Sequence, residues 1–172
     1  MTAVPTTPER ETGAGPVSAR SAGVGAATRL LLATDLSEAS ASATDEAFEL
    51  AGRLGASLLV VSVIDPGALL LPGGRFRARI DQVRERREQL AQALVERGHE
   101  QGVEVSFLVW TGDPGDMIVE AAQSERADMV LVGSHGRGAV GRFFLGSVSE
   151  HVVRHAPCPV LVVRPVETRP LS

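Results

Sequence analysis

The chain has 172 residues, enough for one domain with a substantial core and too few for two. Hydrophobic residues make up 44%, charged residues 22% and aromatic residues only 3%, the composition of a globular protein with an aliphatic core. The net charge of −4 argues against a nucleic-acid partner, and no apolar run reaches the roughly 18 residues of a membrane span.

Residues 1–27 contain no Leu, Ile or Phe and are rich in Pro, Gly, Ser, Thr and Ala, so they read as a disordered tail that cannot bury enough surface to offset its ordering entropy. No continuous apolar h-region of a signal peptide is present in them. From Arg29 the character changes. "LLLAT" (30–34) is a short buried-strand run that stops at Asp35-Leu36-Ser37, where Asp35 and Ser37 are both helix N-cap types. Ala43, Ala47, Leu50, Ala51 and Leu54 then recur at helical spacing, and Gly55 ends the helix. "SLLVVSVI" (57–64) is a second strand, apolar throughout and therefore buried on both faces. Beyond the loop that follows it, Phe76, Ile80, Val83, Leu90 and Leu94 form the next helical stripe, closing between Gly98 and Gly102. Six arginines from Arg75 to Arg87 lie along this segment and read as its solvated face.

"VEVSFLVW" (103–110) is a third strand. Asp113-Pro114 caps a third helix, with proline at its first position and Ile118, Val119 and Ala122 on its apolar side. "DMVLVG" (128–133) is the fourth strand, and a last helix starts at Gly146-Ser147, carries Val148 and Val152 and is stopped by Pro157. "PVLVV" (159–163) is the fifth strand. Residues 28–166 thus form one domain, with 167–172 a C-terminal tail.

Near-continuous apolar strands alternating with helices predict a parallel, doubly wound α/β sheet covered on both faces. Ligands of such sheets bind beyond the strand carboxyl ends, where the strand order reverses. Asp35 follows the first strand, Val63-Ile64-Asp65 ends the second, and a glycine-rich loop follows the fourth. That loop places Gly133, Gly136, Gly138, Gly141 and Gly146 within fourteen positions.

Two glycine patterns compete there. Gly136-Arg137-Gly138-Ala139-Val140-Gly141 matches the dinucleotide fingerprint, but it does not open a helix within its turn, and the next strand ends at Arg164-Pro165 instead of an acidic residue. Gly133-x2-Gly136-x9-Gly146-Ser147 instead would line a pocket with backbone amides and start the last helix at a phosphate-ready N-terminus, with the Ser147 and Ser149 hydroxyls as further donors. A plain long turn with a serine cap accounts for the same residues equally well.

The chain has neither lysine nor asparagine. A P-loop, a protein-kinase site and Schiff-base chemistry are excluded on that ground. Cys158 stands alone, which rules out an intramolecular disulfide, fits a reducing cytoplasm and leaves the residue as a small buried hydrophobe. No G-x-S-x-G elbow or papain-like set exists. His151 and His155 have metal-compatible helical spacing with no third ligand close in sequence, and read as surface histidines.

The spacing Gly133-x2-Gly136-x9-Gly146-Ser147, set between "VLVGSHGRG" and "GSVSEHVVRHAPCPVLVVR", resembles the ATP-binding branch of the universal stress protein family. "LLLATDLSEAS" and "VVSVID" resemble that family's first two strands, and the likeness covers about residues 28–165. It implies a five-stranded sheet of order 3-2-1-4-5 and a bound ATP. Asp35 would lie near the ribose and phosphates, where it could hold Mg²⁺, and the Val63 backbone would read the adenine edge. Val132, Gly133 and Gly136 would form the adenosine-side loop, while Gly146, Ser147, Val148 and Ser149 would cradle the phosphates. Ala33 and Arg137 belong to the expected binding set, as does His135, which lies inside the loop and could hydrogen-bond a phosphate, although an exposed loop residue without function accounts for it equally well; Ala33 stands where many members have proline, and Ser149 where many have threonine. A homodimer through the C-terminal strand is also implied. With one carboxylate near the phosphates, the expected function is a nucleotide-binding stress-response module in the cytoplasm with at most slow hydrolysis, not a dedicated enzyme. The alternatives are a ligand-independent dimeric interaction module and a true ATPase.

Overall fold

The computed structural model describes residues 28–69, 76–134 and 145–164. The expected tails at 1–27 and 167–172, and the loop residues His135, Gly136 and Arg137, lie outside the described residues. In chain order the elements are β1 (Arg29–Ala33), α1 (Ala41–Leu54), β2 (Ser57–Ile64), α2 (Phe76–Gln101), β3 (Val105–Thr111), α3 (Pro114–Ser124), β4 (Met129–Gly133), α4 (Ser147–His155) and β5 (Val160–Val163). The strands form one all-parallel sheet in the order β3-β2-β1-β4-β5, as the resemblance implied.

Alternation along the strands splits the core into two layers. Leu31, Leu59, Val61, Val130 and Val132 pack with Ile118 and Ala121 of α3 and Val152 of α4. Leu30, Leu32, Leu58, Val60 and Leu131 pack on the other face with Ala43, Ala47, Phe48 and Ala51 of α1. Leu30, Leu31 and Leu32 are all 0% exposed. Each such burial stabilises by about 1.5–3 kcal/mol, so β1 alone contributes an amount comparable with the net stability of a domain. The entry to β1 is fixed by Asp128, which accepts from the Arg29 amide at 2.6 Å, and by an Arg29–Glu125 ion pair at 3.0 Å.

Local signals survive in several places. Gly55 takes the left-handed conformation at φ 60° and ends α1. Asp113 caps α3 by accepting from the Asp116 amide at 3.1 Å, with Pro114 next. Other expectations need correction. Leu54, assigned to the buried stripe of α1, is 53% exposed at the helix end where the chain turns through Gly55, whereas Phe48 is 2% exposed. By contrast, α2 closes at Gln101, between Gly98 and Gly102 as expected; Gly98 lies within the helix and is buried, and Gly102 at φ +70° follows the last turn. Cys158 is only partly buried, against the α3–α4 layer. Burial first, and the nearby Asp128 charge second, push its thiol above the ordinary value, so it stays protonated at neutral pH.

Gly98 marks where α2 lies closest to the sheet. A Cβ there would sit 2.3 Å from Val105 Cγ2 and 2.7 Å from the Val103 carbonyl oxygen, whereas at Gly52 of α1 the nearest atom would be 4.0 Å away. Gly98→Ala should therefore lower unfolding stability by about 1–3 kcal/mol through overpacking. Gly52→Ala should raise it by about 0.5–1 kcal/mol through helix propensity. Urea unfolding of the two variants beside the parent checks both signs.

Candidate functional site

The site is built from three strand ends and begins where β1 stops. Thr34 extends the ladder by one bond, its N–H donating to the Val61 carbonyl at 3.0 Å. The chain then leaves the sheet through a turn that polar side chains hold closed. The Thr34 hydroxyl accepts from the Leu36 N–H at 2.9 Å and donates to Ser40 Oγ at 2.8 Å, and the Ser40 hydroxyl donates to the Ser37 carbonyl at 2.8 Å. Asp35 Oδ1 accepts from the Ser37 N–H at 3.0 Å and the Ser37 hydroxyl at 2.6 Å. The two residues expected as helix caps therefore close an Asx-turn together; neither Ser37 nor Ser40 caps its helical turn with its side chain. Leu36 is held at φ 59°, a left-handed conformation that a leucine adopts at a cost of about 1–2 kcal/mol.

At the end of β4 the two flanks of the glycine loop are tied together. The Gly146 N–H donates to the Ser134 carbonyl at 3.0 Å, and the Ser149 hydroxyl donates to the Gly133 carbonyl at 2.6 Å. Ser134 is itself anchored to β5, its N–H donating to the Val163 carbonyl at 2.8 Å. The first intrahelical bond of α4 runs from the Glu150 N–H to the Gly146 carbonyl at 2.9 Å. The amides of Ser147, Val148 and Ser149 precede that bond and have no partner within the helix. Gly146 has φ −62° and ψ 154°, a conformation open to any residue, so backbone strain does not call for a glycine there.

Between these ends lies a cleft of about 1220 Å³. Ala33 and Asp35 line it from β1 and its turn, Val63 from β2, Val132 and Gly133 from β4, and Val148 and Ser149 from α4. Gly146 and Ser147 precede that α4 wall in the chain. Of the expected binding residues among those described, Ala33, Asp35, Val63, Val132, Gly133, Val148 and Ser149 line this cleft, while Gly146 and Ser147 are not among its lining residues.

Sequence reasoning missed the wall supplied by α2. The arginine run is not simply a solvated face. Arg84 donates to the Val109 carbonyl at 3.0 Å and to Thr111 Oγ1 at 3.1 Å. Arg87 donates to Ser62 Oγ at 3.1 Å and to the Val63 carbonyl. Arg86 and Arg87 also line the cleft. The only advance signal was the i, i+3 spacing of Arg84 and Arg87, which puts both on one side of the helix. His151 is also more than a surface histidine. Its Nε2 lies 3.0 Å from Asp116 Oδ1, and its ring faces that of His155 at 4.3 Å. Among the described residues no group of three or more potential metal ligands occurs, and no helix is long and apolar enough to cross a membrane.

Comparison with known proteins gives a consistent picture. The family model of the universal stress protein family matches residues 27–164. A universal stress protein of Thermus aquaticus is 39% identical over 136 residues, covering 78% of this chain and 97% of the relative. UspA from Lactobacillus plantarum has a similar structure, with a TM-score of 0.67 and 26% identity over 81% of this chain and 100% of its own. A universal stress protein solved in complex with cAMP superposes with a TM-score of 0.56 and 27% identity, covering 81% of this chain and 98% of its own.

The turn after β1 depends on one buried hydroxyl. Thr34→Val keeps the shape and removes the oxygen that accepts from the Leu36 amide, leaving a polar group without its partner in a strained turn. The expected cost is about 1–3 kcal/mol. Thr34→Ser, which keeps the oxygen, should lose less, and paired denaturant titrations distinguish the two.

Proposed function

The chain belongs to the universal stress protein family, and from that premise we propose that it binds an adenine nucleotide, ATP or a close relative, across the ends of β1, β2 and β4 as a dimeric stress-response module. The observation that carries this reading is the tethering of the α4 N-terminus to the end of β4. Two bonds, Gly146 to Ser134 and Ser149 to Gly133, hold the amides of Ser147, Val148 and Ser149 at the cleft wall. Unpaired amides at the positive end of a helix dipole favour phosphate oxygens. The relative in complex with cAMP, an adenine nucleotide, supports the same ligand class.

In this reading Val63 presents its backbone to the base, while Gly133 and the expected His135, Gly136 and Arg137 border the sugar and phosphates. Asp35, together with any Mg²⁺ it holds, lies towards the phosphates. With Ser149's hydroxyl committed to Gly133, its amide is the group left for a phosphate, and Ser147 supplies the hydroxyl. A Mg²⁺ ion would neutralise phosphate charge. One Asp35 oxygen already accepts two bonds from Ser37, which favours a holding role over that of a freely turning general base, so turnover is slow.

Calorimetry with ATP and Mg²⁺ on nucleotide-stripped protein tests this reading. Gly146→Val should abolish binding while the circular dichroism of the fold persists, because a branched side chain would crowd the phosphate path. Ser147→Ala should weaken binding by one charge-assisted hydrogen bond, about 1.5–3 kcal/mol. Equal affinity in Gly146→Val and the parent would move the site elsewhere. Multiple turnovers of ATP lost in Asp35→Ala would identify an ATPase instead.

The second reading, dimerisation without dependence on ligand, draws on β5. It is the terminal strand of the sheet, only four residues long, and Leu161 on it is 36% exposed. An unpaired apolar edge invites a second copy in isologous contact. Light scattering at micromolar concentration should give the dimer mass, and Leu161→Lys should shift it towards monomer. A dimer that persists in protein unable to bind nucleotide would favour the ligand-independent module.

A further inference from the structure

Among the described residues only Leu36 and Arg126 are non-glycine residues at positive φ, and only Leu36 lines the cleft. In a parallel ladder, alternate residues of one strand face the same neighbour. Since the Thr34 N–H donates to the Val61 carbonyl, a continued β1 would bring the Leu36 N–H to the Val63 carbonyl. That amide is diverted to Thr34 Oγ1 instead, and the chain reverses at Leu36. Leu36 belongs to two side-chain turns at once. Its amide closes the turn begun by Thr34, and its backbone is the centre of the next turn, where Asp35 Oδ1 accepts from the Ser37 N–H and hydroxyl. Were Leu36 extended, the Ser37 amide would point along the sheet plane and not at the Asp35 carboxylate. Glycine would take this conformation without strain. What leucine adds is a side chain, packed against the core layer that holds Leu30, Leu32 and Phe48.

Resting on the proposed nucleotide site, we infer that Leu36 is a positioning residue for nucleotide binding, its packed side chain locking the left-handed turn that orients Asp35. A strained backbone persists only where its surroundings over-determine it. Here core packing holds the leucine from one side, and the two side-chain turns hold its backbone from the other. Glycine would permit the turn, because it visits positive and negative φ alike; leucine fixes it. A carboxylate held in this way meets its ligand already oriented, so the ordering cost falls on folding and not on binding. The strain at Leu36 is thus tied to the site and acts through Asp35.

The experiment is a double-mutant cycle of Leu36→Gly and Asp35→Ala, read by calorimetry of the nucleotide-stripped full chain with Mg²⁺-ATP. Glycine keeps the left-handed conformation accessible and removes the anchor. Leu36→Gly should lose about tenfold in affinity, the factor for ordering one residue's backbone on binding, while the circular dichroism of the fold persists. Leu36→Met, which restores an apolar anchor, should recover most of that loss. In the Asp35→Ala background Leu36→Gly should change affinity by no more than about twofold, because the group it positions is gone. Equal losses in both backgrounds would give Leu36 a purely structural role and overturn the inference, as would an unchanged affinity in Leu36→Gly. If Leu36→Gly does not fold, Leu36→Asn, which tolerates positive φ without the apolar anchor, replaces it with the same expectations. If Asp35→Ala binds too weakly for calorimetry, amide exchange at Ser37 in nucleotide-free protein decides. Faster exchange in Leu36→Gly, restored in Leu36→Met, sustains the inference, and unchanged exchange overturns it. A parent that binds ATP with an additive cycle refutes this inference alone. Silence of the parent towards ATP refutes the proposed function and the inference together.

Discussion

The cleft depends on β1 ending at Ala33 while β2 beside it runs on to Ile64. A strand that is buried on both faces and bonded on both edges can leave its sheet only if the groups it abandons find other partners. The Thr34 side chain manages the departure on one side by taking the Leu36 amide, at the expense of a left-handed leucine. Arg87 manages it on the other by donating to the carbonyl that Leu36 no longer reaches. Among the described residues no buried side-chain nitrogen or oxygen is left without a partner. The opening beyond the end of β1, beside the longer β2, is therefore a consequence of strand termination, and the strain at Leu36 accompanies it.

Two features fix the opposite wall. α3 and α4 pack against each other on one face of the sheet, with the His151–Asp116 contact between them and the His151 ring against Gly115, where a Cβ would lie 2.8 Å from that ring. The start of α4 is bonded to Gly133, the last residue of β4, and to Ser134 after it, directly beyond the buried Val130, Leu131 and Val132. A helix N-terminus oriented by a rigid scaffold carries no reorganisation cost when an anion arrives, which distinguishes it from an equally polar but unattached loop.

The arginines of α2 act on sheet edges. Arg84 covers the outward carbonyl of β3, a strand at the border of the sheet, and Arg87 covers an acceptor inside the cleft. A long cation with a planar fork suits both tasks, because it reaches from a helix backbone to a strand carbonyl and satisfies a hydroxyl with the same group. Such contacts blunt an edge against unwanted pairing.

Local sequence determined the elements, because their causes are local. The apolar run of 57–64 is β2 to the residue, Asp113-Pro114 caps α3, Gly55 ends α1 and Gly146-Ser147 begins α4. Period and capping depend on neighbours a few positions away, which a reader of the chain can see. Part of the site was legible for the same reason: Asp35, Val63, Gly133 and Ser149 lie at strand ends or helix starts, where a parallel sheet gathers its ligands, whereas Val132 and Val148 came only with the family resemblance. The roles of Thr34, Leu36, Arg84, Arg87 and Gly98 were not legible. Each is decided by a partner on another element or by a turn whose shape the sheet imposes; Arg87 meets Val63 across 24 positions, and Gly98 meets Val105 only because α2 folds back onto β3. Periodicity predicts which face of a helix is apolar, but which carbonyl a departing strand leaves exposed follows only from the registers of three strands at once, and that is a property of the tertiary structure.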